Sequence, residues 1–579
     1  MREKDGNTLL KNLITIGIIL NIFLFGILPL IYLSQYKYNN DDYHPGMSTK
    51  FGSKYIAEDI DPQYCRNSAS IDAIIMIWEG LLAINFSHPE MALYPLLATD
   101  LGTYDPTGTE LTFSLKSGVK FHDYTDFNAD AVVWSFSRLY YLMNISGTLP
   151  NTVFYTKSTI IRSLYEWPDG TPIINHTEAI NNYVVKFVLN RPYGPFRALL
   201  TFPGSFIMSP TSTPPLDYID PANVDVVGSS GYGPCIGTGP MKIEKLETYE
   251  VRFTQFNYYH REPISLYVLV HVRIEDDEAR HIAVLSGAID IITDISPEYL
   301  ETMEADDMVT LYEGGYGATV QCLAFNNKLY NNTWRKAISW ALDYDYMIDN
   351  LLEGEAIRLK SPIPLGILFA NWSFNVPVLN LTIARQYMNQ MGHGIGFTSD
   401  GEWEAVAASS TPFLTINYTY NLNSIYRKNI NQLLENNLSK IGVRVIDAGM
   451  TEKDYEDRIF NKRKISAGWD ALQHFWIEWW PEFNDPSNYI NFLMSNTSSF
   501  NSAQVNDPIL EAYILAGLEE TDQNKRKQLY WDIQRYVVEE LCPCAYCFIE
   551  KNYDAWNKHL DGFPSNPMEI AYFYPCYWK

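Results

Sequence analysis

Positive charge is scarce in this sequence: 43 Lys and Arg stand against 68 Asp and Glu, a formal net charge of -25. Binding a polyanion requires a basic face that displaces counterions. No basic run exceeds three residues, and Lys462-Arg463-Lys464 reads as a solvated turn, so nucleic acid is not expected as a partner. Catalytic signatures are missing too. The nearest approach to a Gly-x-Ser-x-Gly nucleophile elbow, Gly228-Ser-Ser-Gly231, has the wrong spacing. No pair among the ten histidines has the HExxH spacing of a zinc hydrolase, so neither a metal site nor a cofactor is expected. The Gly-rich stretch Gly231–Pro240 lacks the Lys-Ser/Thr of a phosphate-cradling loop, and its prolines suit turns. Long apolar runs are as rare: after Leu33 no segment is long enough to cross a bilayer.

What remains is a folded, exported body. With 579 residues the chain exceeds what one core organises, and 46% apolar residues, 41 Tyr and 14 Trp set it apart from disordered chains. Residues 1–12 read as a cytoplasmic start. The one apolar run, 13–33, reads as a transmembrane anchor, and Arg2, Lys4 and Lys11 ahead of it place the body outside. A cleaved signal peptide is the alternative, although no small-x-small site follows the run. Residues 34–53, rich in Tyr, Asn, Asp, Gly and Ser, read as a tether. Sequons at Asn85, Asn144, Asn175, Asn331, Asn371, Asn380, Asn417, Asn437 and Asn496 agree with export as glycosylation sites. So do seven cysteines (Cys65, Cys235, Cys322, Cys542, Cys544, Cys547, Cys576) available for disulfides, with one left over and the pairing open.

Apolar periodicity predicts a mixed α/β chain. Strands are expected at Ile56–Ile60, Leu111–Leu115, Asn181–Leu189, Met241–Phe256, Leu266–Ile274, Phe413–Tyr418 and Val443–Ile446. Helices are expected at Ser70–Leu82, at Asn128–Leu142 with Asn128 as cap, at Asp276–Leu285, and over Asn332–Leu352, Leu379–Met391, Ser424–Ile441, Glu452–Phe460 and Asp522–Leu541.

The segment Phe475-Trp-Ile-Glu-Trp-Trp-Pro-Glu-Phe-Asn-Asp-Pro486 surrounds Glu478 and Glu482 with aromatics. It reads either as a core-edge loop or as a ligand wall, where rings supply apolar contact and an acid fixes a cation. The two acids, four residues apart, also raise an exported glycoside hydrolase as an alternative, with no supporting motif.

Several ordered segments resemble a known family. Ile77-Trp-Glu-Gly-Leu-Leu82, Tyr94-Pro-Leu-Leu-Ala98, Leu111-Thr-Phe-Ser-Leu-Lys-Ser-Gly-Val-Lys-Phe-His-Asp123, Phe127-Asn-Ala-Asp-Ala-Val-Val-Trp134, Gly237-Thr-Gly-Pro240 and Trp334-Arg-Lys-Ala-Ile-Ser-Trp-Ala-Leu-Asp343 are similar to the extracellular solute-binding proteins of ABC transporters that include the dipeptide and oligopeptide binders, family 5. That resemblance implies an α/β, two-lobed periplasmic-binding-protein-like clamp (type II) with an extra inserted subdomain. Lobe I would comprise 54–84, 204–312 and 546–579, the insert 85–203, and lobe II 313–545.

It also implies that the protein is not an enzyme but a binder, a monomeric ectodomain that captures peptides or another small molecule and delivers them to ABC permease subunits. Trp479-Trp-Pro-Glu-Phe-Asn-Asp-Pro486 resembles the family segment whose acid holds a peptide's α-ammonium, which puts Glu482 in that role. A Glu there is one methylene longer than the family's usual Asp. Trp476, Trp479, Trp480 and Asp485 join it as candidate ligand residues, with Tyr64, Ser68 and Tyr546 as further cleft-facing positions. Relatives that take oligosaccharides, metal complexes or haem make those the rival cargoes. The missing lipid-anchoring cysteine after the apolar run fits an archaeal cell surface.

Overall fold

The computed structural model describes residues 48–57, 60–65, 67–88, 90–143, 159–213, 235–460 and 472–579. Leu13–Leu33, nearly all of the tether, Asn144, Gly228-Ser-Ser-Gly231 and Lys462-Arg463-Lys464 lie outside them. Among the described residues no helix is long and apolar enough to cross a membrane.

The first strand is β1 (Ser48–Ser53), not Ile56–Ile60, whose described residues are irregular. It falls in the stretch read as tether because Ser-Thr-Lys-Phe-Gly-Ser has only one large apolar residue and so no apolar alternation. Thr49, Phe51 and Gly52 are all buried, and at Gly52 the Ile289 side chain occupies the place of a Cβ. Next come α1 (Ser68–Ile77), capped by Asn67 through the Ser70 N–H at 2.8 Å, and the hairpin β2 (Leu82–Ile84) and β3 (Leu93–Pro95).

A separate antiparallel sheet follows, built from β4 (Thr103–Tyr104), β5 (Glu110–Ser114), β6 (Ile174–Asn181) and β7 (Val184–Leu189) in the order β4-β5-β7-β6. Helix α2 (Ala129–Leu142) packs on it and is capped by Asn128, as expected. Strand β6 is a strand that periodicity missed. As the sheet's edge it exposes most of its side chains, so Ile-Asn-His-Thr-Glu-Ala-Ile-Asn shows no apolar alternation.

The first lobe's sheet runs through β8 (Met241–Leu246), β9 (Glu250–Gln255), β10 (Val268–Arg273), β1 and β11 (Ile291–Ile292), covered by α3 (Asp277–Leu285). The chain then leaves on β12 (Val309–Tyr316) and enters the second lobe on β13 (Val320–Phe325). There α4 (Asn332–Ser339), β14 (Ala356–Arg358), β15 (Leu414–Thr419), α5 (Ile425–Ser439), β16 (Val443–Asp447) and β17 (His474–Trp479) complete a sheet ordered β16-β15-β17-β13. The single helix expected over Asn332–Leu352 is broken, because Asp343 accepts the Tyr346 N–H at 3.0 Å and starts a new turn that widens at Met347–Leu351. Helices α6 (Ser487–Met494), α7 (Pro508–Glu519) and α8 (Gln523–Arg535) lead to β18 (Cys544–Asn557).

Strand β18 belongs to both lobes. Cys544–Glu550 pairs with β13 and β14, and Lys551–Asn557 pairs with β12 and β11. The lobes therefore join through two adjacent antiparallel crossings, β18 and the β12–β13 link at residues 317–319. This is the geometry of a hinge, and the chain folds as the two-lobed α/β clamp that the resemblance implied.

All seven cysteines are among the described residues and no disulfide joins them; six are buried and Cys544 is half-buried. Of the sequons, Asn85, Asn175, Asn331, Asn417 and Asn496 are exposed, and Asn371 and Asn380 are half-buried. Asn437 must be withdrawn as a glycan acceptor, since it is only 5% exposed on the inner face of α5.

Candidate ligand cleft

The acid-bearing loop runs between β17 and α6. Pro481 stops the strand and Pro486 starts the helix, so the six residues 481–486 must turn within a fixed span. Asn488, fully buried, clamps this turn from the first turn of α6. Its Oδ1 accepts the Glu482 N–H at 3.1 Å, and its carbonyl accepts the Trp479 indole N–H at 3.1 Å. Asp485 Oδ1 caps the helix by accepting the Ser487 N–H at 2.9 Å. The Glu482 side chain is thereby held away from the loop's own backbone donors.

Glu482 opens onto a cavity of about 60 Å³, room for on the order of four waters. Most of its wall comes from the first lobe: Ile71, Ile75 and Trp78 of α1 and its C-terminal end, and Tyr259 and Tyr572. Glu482 reaches it from the other lobe. Loss of hydration alone pushes the Glu482 carboxyl up to about 8, with no cation or donor among the described residues to offset it. A lone, dehydrated carboxyl in an apolar cavity is arranged to receive a cation or to keep its proton.

A second acid lines the cavity in the opposite condition. Glu79, 3% exposed, accepts from Tyr259 Oη at 2.7 Å and Thr238 Oγ1 at 2.8 Å, and His260 Nε2 lies 2.9 Å away. Its lone pairs are engaged within its own lobe. Glu79 stands inside Ile77-Trp-Glu-Gly-Leu-Leu82 without having been assigned a role, and its partners lie 159 to 181 residues downstream. Asn488 was missed as well, since a small polar residue at a helix start carries no signal of its own.

The other expected ligand residues do not gather here, and their placement corrects the wall read from sequence. Asp485 is buried and paired in both oxygens with Arg526 at 2.6 and 2.8 Å, so it has nothing left for a ligand. Trp476 is fully buried and gives its indole N–H to Gln321 Oε1 at 2.6 Å. Trp479 packs on Phe492 and Phe500, and Trp480 is half-buried against the same core. Tyr64 is buried in the turn after Asp61, and Ser68 is exposed at the start of α1, neither lining the cavity. Tyr546 is buried in β18 opposite Cys322, its hydroxyl unpartnered. The aromatic-rich segment is mostly core because alternate residues of β17 face the two packed layers of the second lobe. Among the described residues no group of side chains is arranged to hold a metal.

The two-lobed architecture around the cavity reached by Glu482 has counterparts among proteins of known family. The family model for bacterial extracellular solute-binding proteins, family 5 Middle, matches residues 92–501. This chain belongs to that family. Membership makes it a solute-binding protein of an extracellular class and not an enzyme.

Among the relatives of this family 5 protein is the probable D,D-dipeptide-binding periplasmic protein of Escherichia coli K12, 26% identical over 79% of this chain and 80% of the relative. Heme-binding protein A of Haemophilus influenzae is 24% identical over 85% of each. Among solved structures, an ABC transporter-associated periplasmic binding protein from Helicobacter pylori, in complex with the peptide STSA, superposes with a TM-score of 0.72 at 20% identity. That match covers 92% of this chain and 98% of that one.

Proposed function

We propose that this protein captures short peptides outside the cell by closing its two lobes on them, and delivers them to an ABC permease in the same membrane. The observation that carries this reading is Glu482, a dehydrated carboxyl without a cation, projected from one lobe into a cavity walled by the other. A peptide's α-ammonium supplies the missing charge through a charge-assisted hydrogen bond, and that contact forms only when the lobes meet. Ligand and closure are then one equilibrium. Relatives named for dipeptides and structures holding peptides support the same cargo class.

In this reading residues 54–84, 204–312 and 546–579 make up lobe I, 85–203 the insert and 313–545 lobe II. Strand β1 extends lobe I back to Ser48, and β18 carries lobe II to about Glu550. The apolar run Leu13–Leu33 anchors the body, residues 34–47 form the tether, the exposed sequons carry glycan, and the ectodomain acts as a monomer. The test is mass spectrometry of what co-purifies with the full chain and is released on denaturation. A ladder of short peptides supports the proposal. Hexose-spaced masses or a haem would retain the clamp and remove the role given to Glu482.

A further inference from the structure

The loop that presents Glu482 is held from behind by a residue far along the chain. Arg526, on α8, grips Asp485 with both ends of its guanidinium, and both side chains are only 1% exposed. Its Nε donates to the Gly517 carbonyl at 2.9 Å, and its plane packs against Tyr530 and Phe369, 5.0 and 5.7 Å from their ring centres. A bidentate pair fixes orientation as well as distance. Because Asp485 lies three residues beyond Glu482, Arg526 sets the tilt of the anchoring turn. Asn484, between them, accepts the Leu368 N–H at 3.2 Å, and its Nδ2 lies 3.5 Å from the Met91 carbonyl in the hairpin region before β3.

The inserted four-stranded module is seated on this same arginine. The turn after β7 brings the Gly194 N–H to the Leu518 carbonyl at 2.7 Å. A Cβ on Gly194 would collide with the Glu520 carbonyl and lie 2.8 Å from Arg526 Nε. The neighbouring Tyr193 is buried against Trp167, and Tyr104 of β4 senses the Arg526 charge. Nothing in the peptide-capture reading needs this module to touch the second lobe, yet it meets that lobe at the residue holding the anchor.

We propose that Arg526 is a positioning residue for Glu482, and that the inserted module, docked through Gly194, locks it, so that the line Gly194–Arg526–Asp485 couples the module to the ligand site. The contact stiffens the anchoring turn before the ligand arrives, which lowers the ordering cost of binding. The effect on affinity rests on the peptide reading; the effect on the turn does not.

The experiment is hydrogen–deuterium exchange by mass spectrometry on the full-length chain, with Gly194→Ala and Arg526→Lys beside the parent, and trialanine as the binding probe. Gly194→Ala is expected to speed exchange in residues 480–488 by about fivefold while β13 and β15 stay unchanged, and to weaken trialanine by about tenfold. Arg526→Lys, which keeps the charge but loses the bidentate grip, is expected to speed exchange in 480–488 too, and to move the pH midpoint of trialanine binding, which a merely structural residue would leave in place. Faster exchange confined to 514–521, or spread equally over β13 and β15, overturns the proposal. If 480–488 responds but trialanine binds neither variant nor parent, the peptide reading falls and the positioning role stands.

Discussion

Two carboxyls line the cavity, Glu79 from the first lobe and Glu482 from the second. Glu79 is surrounded by donors, whereas Glu482 has none among the described residues and is pushed up to about 8 by loss of hydration. Three residues further along that loop, Asp485 is paired as fully as an acid can be. A buried acid held by donors or a cation is part of the scaffold, while one without them keeps its proton until an opposite charge arrives. The contrast separates support from recognition among acids that look alike in sequence.

The comparison breaks first at Asp485. Asp485→Asn strands the Arg526 guanidinium in the core, and denaturant unfolding is expected to show a loss of about 3–5 kcal/mol. A change below 1 kcal/mol would mean the pair is not the loop's foundation. Glu482→Ala should leave the fold intact and weaken trialanine by about 2 kcal/mol, roughly 30-fold, in calorimetry; unchanged affinity removes Glu482 from the site. Glu79→Gln should do the reverse, costing about 1 kcal/mol of stability with trialanine affinity held within about twofold.

Two pH measurements sharpen the contrast. In the folded, empty protein Glu482 keeps its proton up to about 8, against an ordinary value of 4.5. Binding an ammonium ionises it, so calorimetry at pH 6.5 in buffers of different ionisation enthalpy should report release of about one proton, absent in Glu482→Gln. The sign for stability is opposite to that of a salt-bridged acid. The folded state holds this proton more tightly than the unfolded one, so between about 4.5 and 8 stability falls as pH rises. Glu482→Gln should flatten that fall, seen as a smaller drop in unfolding midpoint from pH 5 to pH 8, and an identical drop in both proteins would place Glu482 in water.

Much of the fold was legible where burial is one-sided: α2 with its Asn128 cap and the alternating Leu111–Leu115 region stand close to where periodicity put them. It failed where the apolar pattern is missing or interrupted. Strand β1 has a single large apolar residue, Phe51, and a glycine, β6 is an exposed edge, and the helix expected over Asn332–Leu352 is interrupted by an Asp that prefers a cap. In the candidate site, the resemblance singled out Glu482, which the structure places at the cavity. The surrounding tryptophans misled, since a ligand wall and a core face of β17 have the same composition.

The sequence by itself determined that this chain belongs with the two-lobed solute binders, and it marked the acid-rich loop 481–486 as a candidate, because composition and local motif are properties of neighbouring residues. Only the tertiary structure decided which acids are paired. Arg526 comes from 41 residues away to neutralise Asp485, and the Tyr259, Thr238 and His260 side chains come from still farther to engage Glu79. Among the described residues no donor or cation comes to the Glu482 carboxyl, and the state of a carboxyl is set by the water it loses and the donors it gains, both of which exist only once distant segments have packed.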